Sequence, residues 1–209
     1  MALTPRGHIV IVSSPSGGGK TTICRKLLSP ARRRKGWRFS ISYTTRQPRK
    51  GERHGREYFF VSDREFDRLA RAGFFAEYCH VHLYQYGTPR KPLEQVLKRD
   101  GVVLLDIDVQ GARKIRREFP EAISIFVLPP SRAALRRRLK KRGTETVAQM
   151  RLRLHNAIRE MATFRQHGFE YVVVNDDLKT AVGQVLSIIA AHGCRLEKLT
   201  LEQLKAITG

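Results

Sequence analysis

The chain has 209 residues, of which 41% are hydrophobic and 28% charged, and a formal net charge of +21. This apolar content suffices for a sizeable core, which excludes wholesale disorder and indicates one domain, or one core with insertions. Apolar runs such as Tyr171–Val174 are far shorter than the roughly 18 residues of a membrane helix, and Ile9–Val12 is too short for a signal peptide. The widely spaced Cys24, Cys79 and Cys194 indicate ordinary thiols rather than disulfides or a zinc site. We therefore expect a cytoplasmic protein without membrane association.

The positive charge favours an anionic partner. Forty lysines and arginines oppose 19 aspartates and glutamates, a balance that suits a nucleotide, a nucleic acid or an anionic lipid. The basic residues are densest in two runs, Arg32–Lys35 and Arg136–Arg142. Neither run is interleaved with aromatic residues of the kind that stack on bases, so we interpret both as solvated helix faces and expect no dedicated nucleic-acid binding.

Strand patterns alternate with helix patterns along much of the chain. In chain order we predict a strand at Ile9–Ser13, a helix at Thr21–Leu28 that stops near Pro30, a strand at Val102–Ile107, a helix at Val109–Glu118, strands at Ala122–Leu128 and Tyr171–Val174, and a helix at about 179–191. This order indicates an α/β fold in which helices cover both faces of a parallel sheet, with right-handed crossovers.

Two stretches interrupt the alternation. Residues 39–86 are rich in Thr, Tyr, Phe and Gly and predict a small β-rich insertion with a helix near 62–72. Residues 131–166 are basic and helical in pattern, with a break at Gly143. The core is then assembled from residues 1–38, 87–130 and 167–209, and the amphipathic residues 196–207 predict a last helix.

The glycine-rich segment Ser16–Thr21 lies between a predicted strand and a predicted helix. Its glycines allow several backbone N–H groups to point at one phosphate, and the helix adds its positive dipole end. Lys20 suits the β- and γ-phosphates of a nucleotide, and the Thr21 hydroxyl suits Mg²⁺. Ser14 departs from the usual first glycine of this motif. A dinucleotide-binding fingerprint fits less well, because Thr22 stands where its third glycine belongs.

Further motifs follow this loop in a fixed order. They are Ser42–Arg49, Gly51-Glu52, Gly55–Tyr58, Glu77, Tyr86–Thr88, Leu105–Gly111, Phe126–Ser131, Arg142–Glu145 and Val174–Asp177. Together with the loop they resemble the bacterial-type guanylate kinases, a family of P-loop nucleoside monophosphate kinases, from about residue 7 to residue 189. The resemblance implies a P-loop NTPase-like fold and transfer of the ATP γ-phosphate to GMP. It also implies that residues 39–86 bind GMP and that residues 131–166 contain a lid.

The resemblance implies a GMP site built from Ser42, Arg46, Arg49, Tyr58, Glu77, Tyr86, Thr88, Asp106 and Asp108. Arg46, Arg49 and Tyr58 match positions that hold the GMP phosphate, and Arg side chains suit a dianion because each offers parallel donors. Glu77 matches the carboxylate that accepts the two adjacent guanine donors, which adenine lacks. Outside these motifs, surface arginines and an exposed strand glutamate would be the preferred interpretation.

The ATP site implied by the resemblance contains Ser14, Pro15, Ser16, Gly17, Gly18, Gly19, Lys20, Thr21, Thr22 and Asn175. Lys20, Arg138, Arg142 and Arg153 match the catalytic cations, and Thr21 and Asp106 match the residues near Mg²⁺. Asn175 matches a position near the adenine base, although a plain turn explains it almost as well. Asp106 and Asp108 stand two apart and are expected on one face of a strand end. The sequence does not show which of the two serves Mg²⁺ and which serves GMP.

Two other functions stay open at this point. A non-catalytic relative that binds phosphopeptides would have a degraded phosphate loop, whereas Lys20 and Thr21 are present. A nucleic-acid-binding protein would show salt-dependent binding to random duplex. The segment Val81–Tyr86 lacks the Gly-Asn pair usual before Tyr-Tyr-Gly, and its bulky Leu83 and Tyr84 are expected to reshape the rim of the base pocket.

Overall fold

The computed structural model describes residues 7–81, 83–141 and 147–195, without the side chains of residues 141, 147–149 and 153. Strands are formed by His8–Ser13 (β1), Arg38–Phe39 (β2), Tyr43–Thr44 (β3), Phe59–Phe60 (β4), Phe75–Val81 (β5), Tyr84–Pro89 (β6), Val102–Asp106 (β7), Ile123–Leu128 (β8) and Tyr171–Val174 (β9). Helices are formed by Lys20–Leu27 (α1), Pro30–Arg34 (α2), Asp63–Arg71 (α3), Arg90–Leu97 (α4), Val109–Glu118 (α5), Arg132–Lys141 (α6), Val147–Thr163 (α7) and Leu178–Gly193 (α8), with a 3₁₀ turn at Phe164–His167.

The main sheet has the strand order β2–β7–β1–β8–β9, and every pairing in it is parallel. Side chains of β1 alternate between its two faces: Val10 and Val12 pack with α1 and α8, whereas Ile9 and Ile11 pack with α4 and α5. Both faces are therefore buried, as the unbroken apolar strands predict. The predicted α/β fold is confirmed. Within the described residues, no helix is both long and apolar enough to cross a membrane.

The insertion forms a second sheet in the order β4–β3–β6–β5. β5 and β6 are an antiparallel hairpin, and β3 joins β6 antiparallel and β4 parallel. Both predicted limits of the insertion, residues 39 and 86, fall inside strands. Phe39 pairs with Leu104 in the main sheet, and β6 continues past Tyr86 to Pro89. An edge strand of two residues, such as β2, is too short to show the alternation of apolar and polar residues by which a strand is predicted from the sequence.

The basic helical segment contains α6 and α7, which pack on each other through Leu135, Leu139 and Ala157. Gly143, the predicted break, lies outside the described residues, as does the helix predicted at 196–207.

Three local predictions need correction. Pro30 does not merely end a helix: α1 stops at Leu27, and Pro30 takes the first position of α2, where its missing N–H costs nothing. The helix α4 was not predicted at all. The strand predicted to run to Ile107 ends at Asp106, so Asp108 lies beyond it.

Candidate active site

The phosphate loop connects β1 to α1 at the carboxyl end of the main sheet. Gly19 caps α1 with a φ of +102°, a conformation that residues with a Cβ rarely adopt. Gly18 lies against the Ser14 side chain, since a Cβ on Gly18 would be 2.7 Å from Cβ of Ser14. Ser14 is buried and donates to the carbonyl of Pro15 at 3.0 Å. The serine that replaces the usual glycine is therefore accommodated by the glycine four positions later.

A charged group lies where the loop meets the end of β7. Nζ of Lys20 is 3.3 Å from Oδ1 of Asp106, and the Thr21 hydroxyl donates to Oδ2 of the same carboxylate. Burial acts to lower the pKa of Lys20, but Asp106, with smaller contributions from Tyr58 and Asp108, raises it above its ordinary value. Lys20 is therefore a fixed positive charge beside the loop, and the structure brings the side chains of Lys20, Thr21 and Asp106 together. Thr22, one residue further, is exposed.

Asp108 is not on the strand face that the sequence predicted. It caps α5, accepting from the backbone N–H of Gly111 at 2.9 Å, and the Cys79 thiol lies 3.4 Å from Oδ1. The chain leaves the strand after Asp106, so the two-residue period no longer applies. Asp108 therefore lies between α5 and β5, next to the insertion, while Asp106 lies beside Lys20.

The insertion contains a buried carboxylate, Glu77, that is 4% exposed. Glu77 and Thr88 are opposite each other in the β5–β6 hairpin, and the Thr88 hydroxyl donates to Oε1 of Glu77 at 2.6 Å. Among the residues that the structure describes, none donates a hydrogen bond to Oε2 of Glu77. Burial raises the pKa of Glu77 to about 7, with Thr88 acting in the opposite direction. A buried carboxylate oxygen without a donor is the group that a ligand with N–H donors would satisfy. Ser42 is also buried.

Arg46 is buried at the start of the loop that joins β3 to β4. Its Nη2 donates to both carboxylate oxygens of Glu52, each at 3.0 Å, and its Cζ lies 5.5 Å from the ring centre of Tyr58. Burial acts to lower the pKa of Arg46, but Glu52 and Tyr86 raise it on balance. The backbone N–H of Arg49 donates to the same Glu52 at 2.8 Å. Glu52 therefore fixes the Arg46 side chain and the backbone at Arg49 within one loop.

Tyr58 and Tyr86 are two neighbouring aromatic residues of the insertion. Their ring centres are 5.8 Å apart. Burial, and next the charge of Asp106, raise the pKa of Tyr58 to about 12, so its hydroxyl stays protonated and is available as a donor. Because Tyr58 interacts electrostatically with both Lys20 and Asp106, it joins the insertion to the phosphate loop.

The helix α6 lies on the phosphate loop through Arg138. Its guanidinium donates to the carbonyl of Gly18 at 3.3 Å and to the carbonyl of Asn175 at 2.7 Å. Asn175 is buried, and its side-chain amide donates to the carbonyl of Gly18 at 3.0 Å. Arg142 lies outside the described residues, and so does the side chain of Arg153 in α7.

Sequence reasoning missed two carboxylates of this region. Glu52 stood in a recognised motif without a role. Glu160, on α7, has its pKa raised by burial to about 7 and interacts with Lys20 and Asp108. The available signal was its position three residues after the buried Ala157, which places both on one side of the helix.

In the hairpin that departs from the usual pattern, the pair nearest the tip is Val81 with Tyr84. Leu83 is 86% exposed at this tip. The bulk of Leu83 is therefore directed into solvent, and the expected reshaping of the pocket rim does not come from this side chain.

A family model described as guanylate kinase matches residues 6–192 of the chain. The chain belongs to the guanylate kinase family. It is 49% identical over 198 residues to a guanylate kinase of Oleidesulfovibrio alaskensis, an alignment that covers 92% of this chain and 94% of the relative. It is 41% identical over 198 residues to a guanylate kinase of Caldanaerobacter subterraneus, with 95% and 94% covered.

The fold agrees with this assignment. The crystal structure of guanylate kinase from Anaplasma phagocytophilum superposes with a TM-score of 0.76 at 34% identity, covering 93% of this chain and 90% of that one. The resemblance that the sequence motifs suggested is thereby confirmed for guanylate kinases as a family.

Proposed function

We propose that the groups around Lys20 and Glu77 carry out the reaction of the guanylate kinase family, in which the γ-phosphate of ATP passes to GMP and gives ADP and GDP. The observation that carries the proposal is Oε2 of Glu77, a buried carboxylate oxygen that no described residue satisfies with a hydrogen bond. Tyr58, in the same insertion, interacts electrostatically with Lys20 and Asp106 beside the phosphate loop. One site suits a base with N–H donors, and the other suits a polyphosphate.

Base selection follows from the donors of guanine. Its N1–H and 2-amino group are adjacent and are satisfied by one carboxylate, here Glu77, while the hydroxyls of Ser42 and Thr88 are assigned to the neighbourhood of O6. Adenine would leave Glu77 buried without its donors. A site that hydrogen-bonds a substrate group rejects an analogue lacking that group by roughly 10⁴ or more.

The GMP phosphate is assigned to Arg46, Arg49 and Tyr58, with Tyr86 beside them. The Glu52 carboxylate fixes Arg46 before the substrate arrives, which reduces the side-chain entropy lost on binding. Because Asp108 lies beside β5 and Asp106 beside Lys20, we assign Asp108 to GMP and Asp106 to the phosphates and Mg²⁺.

Transfer requires two anions to be held together. The acceptor is already an anionic phosphate oxygen, so the reaction needs positioning and charge neutralisation more than a strong base. We assign neutralisation to Lys20, Arg138, Arg142 and Arg153, and the ATP phosphates to the backbone N–H groups of the loop. The lid is assigned to residues 131–153, within the basic helical segment 131–166, and it would exclude water on closing.

Mg²⁺ fits the residues present. Asp106 and Thr21 offer hard oxygen atoms beside the loop, and the buried Oδ1 of Asp106 is paired with the Lys20 ammonium at 3.3 Å. In the described part of the chain no group of three or more His, Cys, Asp or Glu side chains could hold a metal. The remaining ligands would therefore be phosphate oxygens and water, the usual arrangement for Mg²⁺ with a nucleotide. When bound, the ion supplies positive charge to the phosphate oxygens.

The test is an ADP-release assay with GMP, dGMP, IMP, AMP and UMP as acceptors. We expect GMP and dGMP to be used, IMP to be poorer because it lacks the 2-amino group, and AMP and UMP to be inactive. ATP binding without turnover of GMP would favour the non-catalytic binding module instead. We also propose a cytoplasmic location. Cys24, Cys79 and Cys194 are free thiols, as is usual for a protein of a reducing compartment.

A further inference from the structure

The carbonyl of Gly18 receives two hydrogen bonds from outside the phosphate loop. The side-chain amide of Asn175, just past the end of β9, donates to it at 3.0 Å, and Arg138 donates at 3.3 Å. Asn175 is 5% exposed, and its own backbone N–H donates to the carbonyl of Leu128 at 2.8 Å. Its position is thus fixed by the main sheet rather than by a mobile turn.

The contact also explains why position 19 is glycine. A Cβ on Gly19 would lie 2.3 Å from Nδ2 of Asn175, closer than any tolerated contact. The φ of +102° at Gly19 adds a second reason, independent of Asn175.

A trans peptide unit directs its carbonyl and its N–H to opposite sides. The carbonyl of Gly18 and the N–H of Gly19 belong to one such unit. When Asn175 holds the carbonyl, it therefore also orients the Gly19 N–H away from β9. This N–H is one of the donors that a phosphate loop presents to its ligand.

We propose that Asn175 is a positioning residue of the phosphate loop, acting on bound phosphate through the Gly18–Gly19 peptide unit and not through the adenine base. The inference rests on the proposed function, in that the loop must bind the phosphates of ATP. Arg138 shares the carbonyl but is assigned to the transferring phosphoryl group, so Asn175 is the donor that remains when Arg138 serves that group.

The experiment compares a ligand with a base and a ligand without one. Isothermal titration measures the affinity of the full chain for MgATP and for magnesium tripolyphosphate, before and after Asn175→Ala. Loss of one hydrogen bond to a neutral carbonyl predicts that both affinities fall by the same factor, up to roughly tenfold. GMP affinity should not change. A fall for MgATP with unchanged tripolyphosphate affinity would show a contact to the base and overturn the proposal, and so would unchanged affinity for both.

Two further variants provide a second substitution of Asn175 and a control at the next position. Asn175→Asp preserves the shape of the side chain but places an acceptor against the Gly18 carbonyl, so it should weaken tripolyphosphate at least as much as Asn175→Ala. Asp176→Asn, at the adjacent exposed position, is the matched control and should change neither affinity. Circular dichroism confirms that each variant is folded.

A separate experiment tests the close contact between Gly19 and Asn175. Gly19→Ala should weaken tripolyphosphate less in the Asn175→Ala background than in the parent, because one of its two penalties is gone. Equal penalties in both backgrounds would contradict the contact. If the parent binds neither ligand, the proposed function and this inference fall together. If the parent binds both and Asn175→Ala keeps its tripolyphosphate affinity, only the inference falls.

Discussion

The two nucleotide sites of this molecule are built in different ways. The phosphate loop presents backbone groups and follows β1, which is buried along its whole length and pairs with β7. The insertion presents side chains. Its hairpin strands β5 and β6 are as long as the core strands but only partly buried, and its other strands, β3 and β4, have two residues each. Polyphosphate recognition is thus tied to the main core, whereas base recognition depends on a small, separately packed unit.

Aromatic packing supports the partly buried hairpin and the short strands of the insertion. The rings of Tyr43 and Phe59 stack at 4.6 Å between centres, and those of Phe66 and Phe75 at 4.7 Å. Such pairs stabilise by about 0.5–1.5 kcal/mol each beyond the area they bury. A change in the insertion should therefore alter acceptor choice while the main sheet persists, and a change at the loop should stop the reaction with any acceptor.

The largest expected effect is at the loop. Lys20→Ala should lower kcat at least about 100-fold with every acceptor, because its charge serves the transferred phosphate and not the core. The fold should persist, as judged by circular dichroism. Lys26→Ala, an exposed lysine on the same helix, is the matched control and should keep parental turnover. Turnover of Lys20→Ala within about tenfold of the parent, only ~1.4 kcal/mol of barrier, would contradict the assigned role.

The counterpart in the insertion is Glu77→Gln. One carboxylate oxygen becomes an amide donor that faces a guanine donor, so kcat/KM for GMP should fall about 100-fold or more while ATP affinity is retained. Steady-state kinetics with each substrate varied in turn measures both. Glu65→Gln, on the surface helix α3, should change neither. Equal losses for GMP and ATP would mean that Glu77 does not select the base.

Sequence reasoning succeeded where the signal is local. The apolar run of β1, the glycines after it and the alternation of strands with helices suffice to predict the loop and four of the five strands of the main sheet, all but β2. Contacts across the chain are different: Asn175 meets Gly18 from 157 positions away. No spacing or periodicity encodes such a contact.

The insertion shows the same limit in another form. Its motifs identified Arg46 and Glu77 through the family resemblance, but nothing in the sequence pairs Arg46 with Glu52 or leaves one oxygen of Glu77 without a donor. Asp108 was misplaced because a period of two is informative only while the strand continues. The end of β7 at Asp106 could not be predicted, since Ile107 is as apolar as the strand itself.

A third comparison concerns the helix that lies over the loop. Arg138→Ala should lower kcat roughly 10- to 100-fold and raise either KM less, because the contact to the phosphoryl group matures in the transition state. Arg136→Ala is an exposed control on the same helix and should be neutral. Hydrogen exchange across α6 should slow more with a bisubstrate analogue than with GMP alone. A rise in KM without loss of kcat would make Arg138 a ground-state binding residue.

The smallest expected effect is a pH dependence of the KM for GMP that the KM for ATP does not share. Burial raises the pKa of Glu77 to about 7, and its ionised form is the one that accepts the guanine donors. As pH falls through 7, Glu77 gains a proton, so KM for GMP should rise, by at most about tenfold per pH unit. The KM for ATP should not follow the same curve.

Two other groups titrate in this range and must be separated from Glu77. The phosphate of GMP has a second pKa of about 6, and burial raises the pKa of Glu160 to about 7. Glu77→Gln retains both and supplies the baseline, so the difference between its profile and that of the parent reports Glu77. Glu160→Gln should keep the parental rise in KM for GMP. If the rise disappears in Glu160→Gln and persists in Glu77→Gln, the titrating group belongs to the lid side of the site, and base recognition is independent of pH.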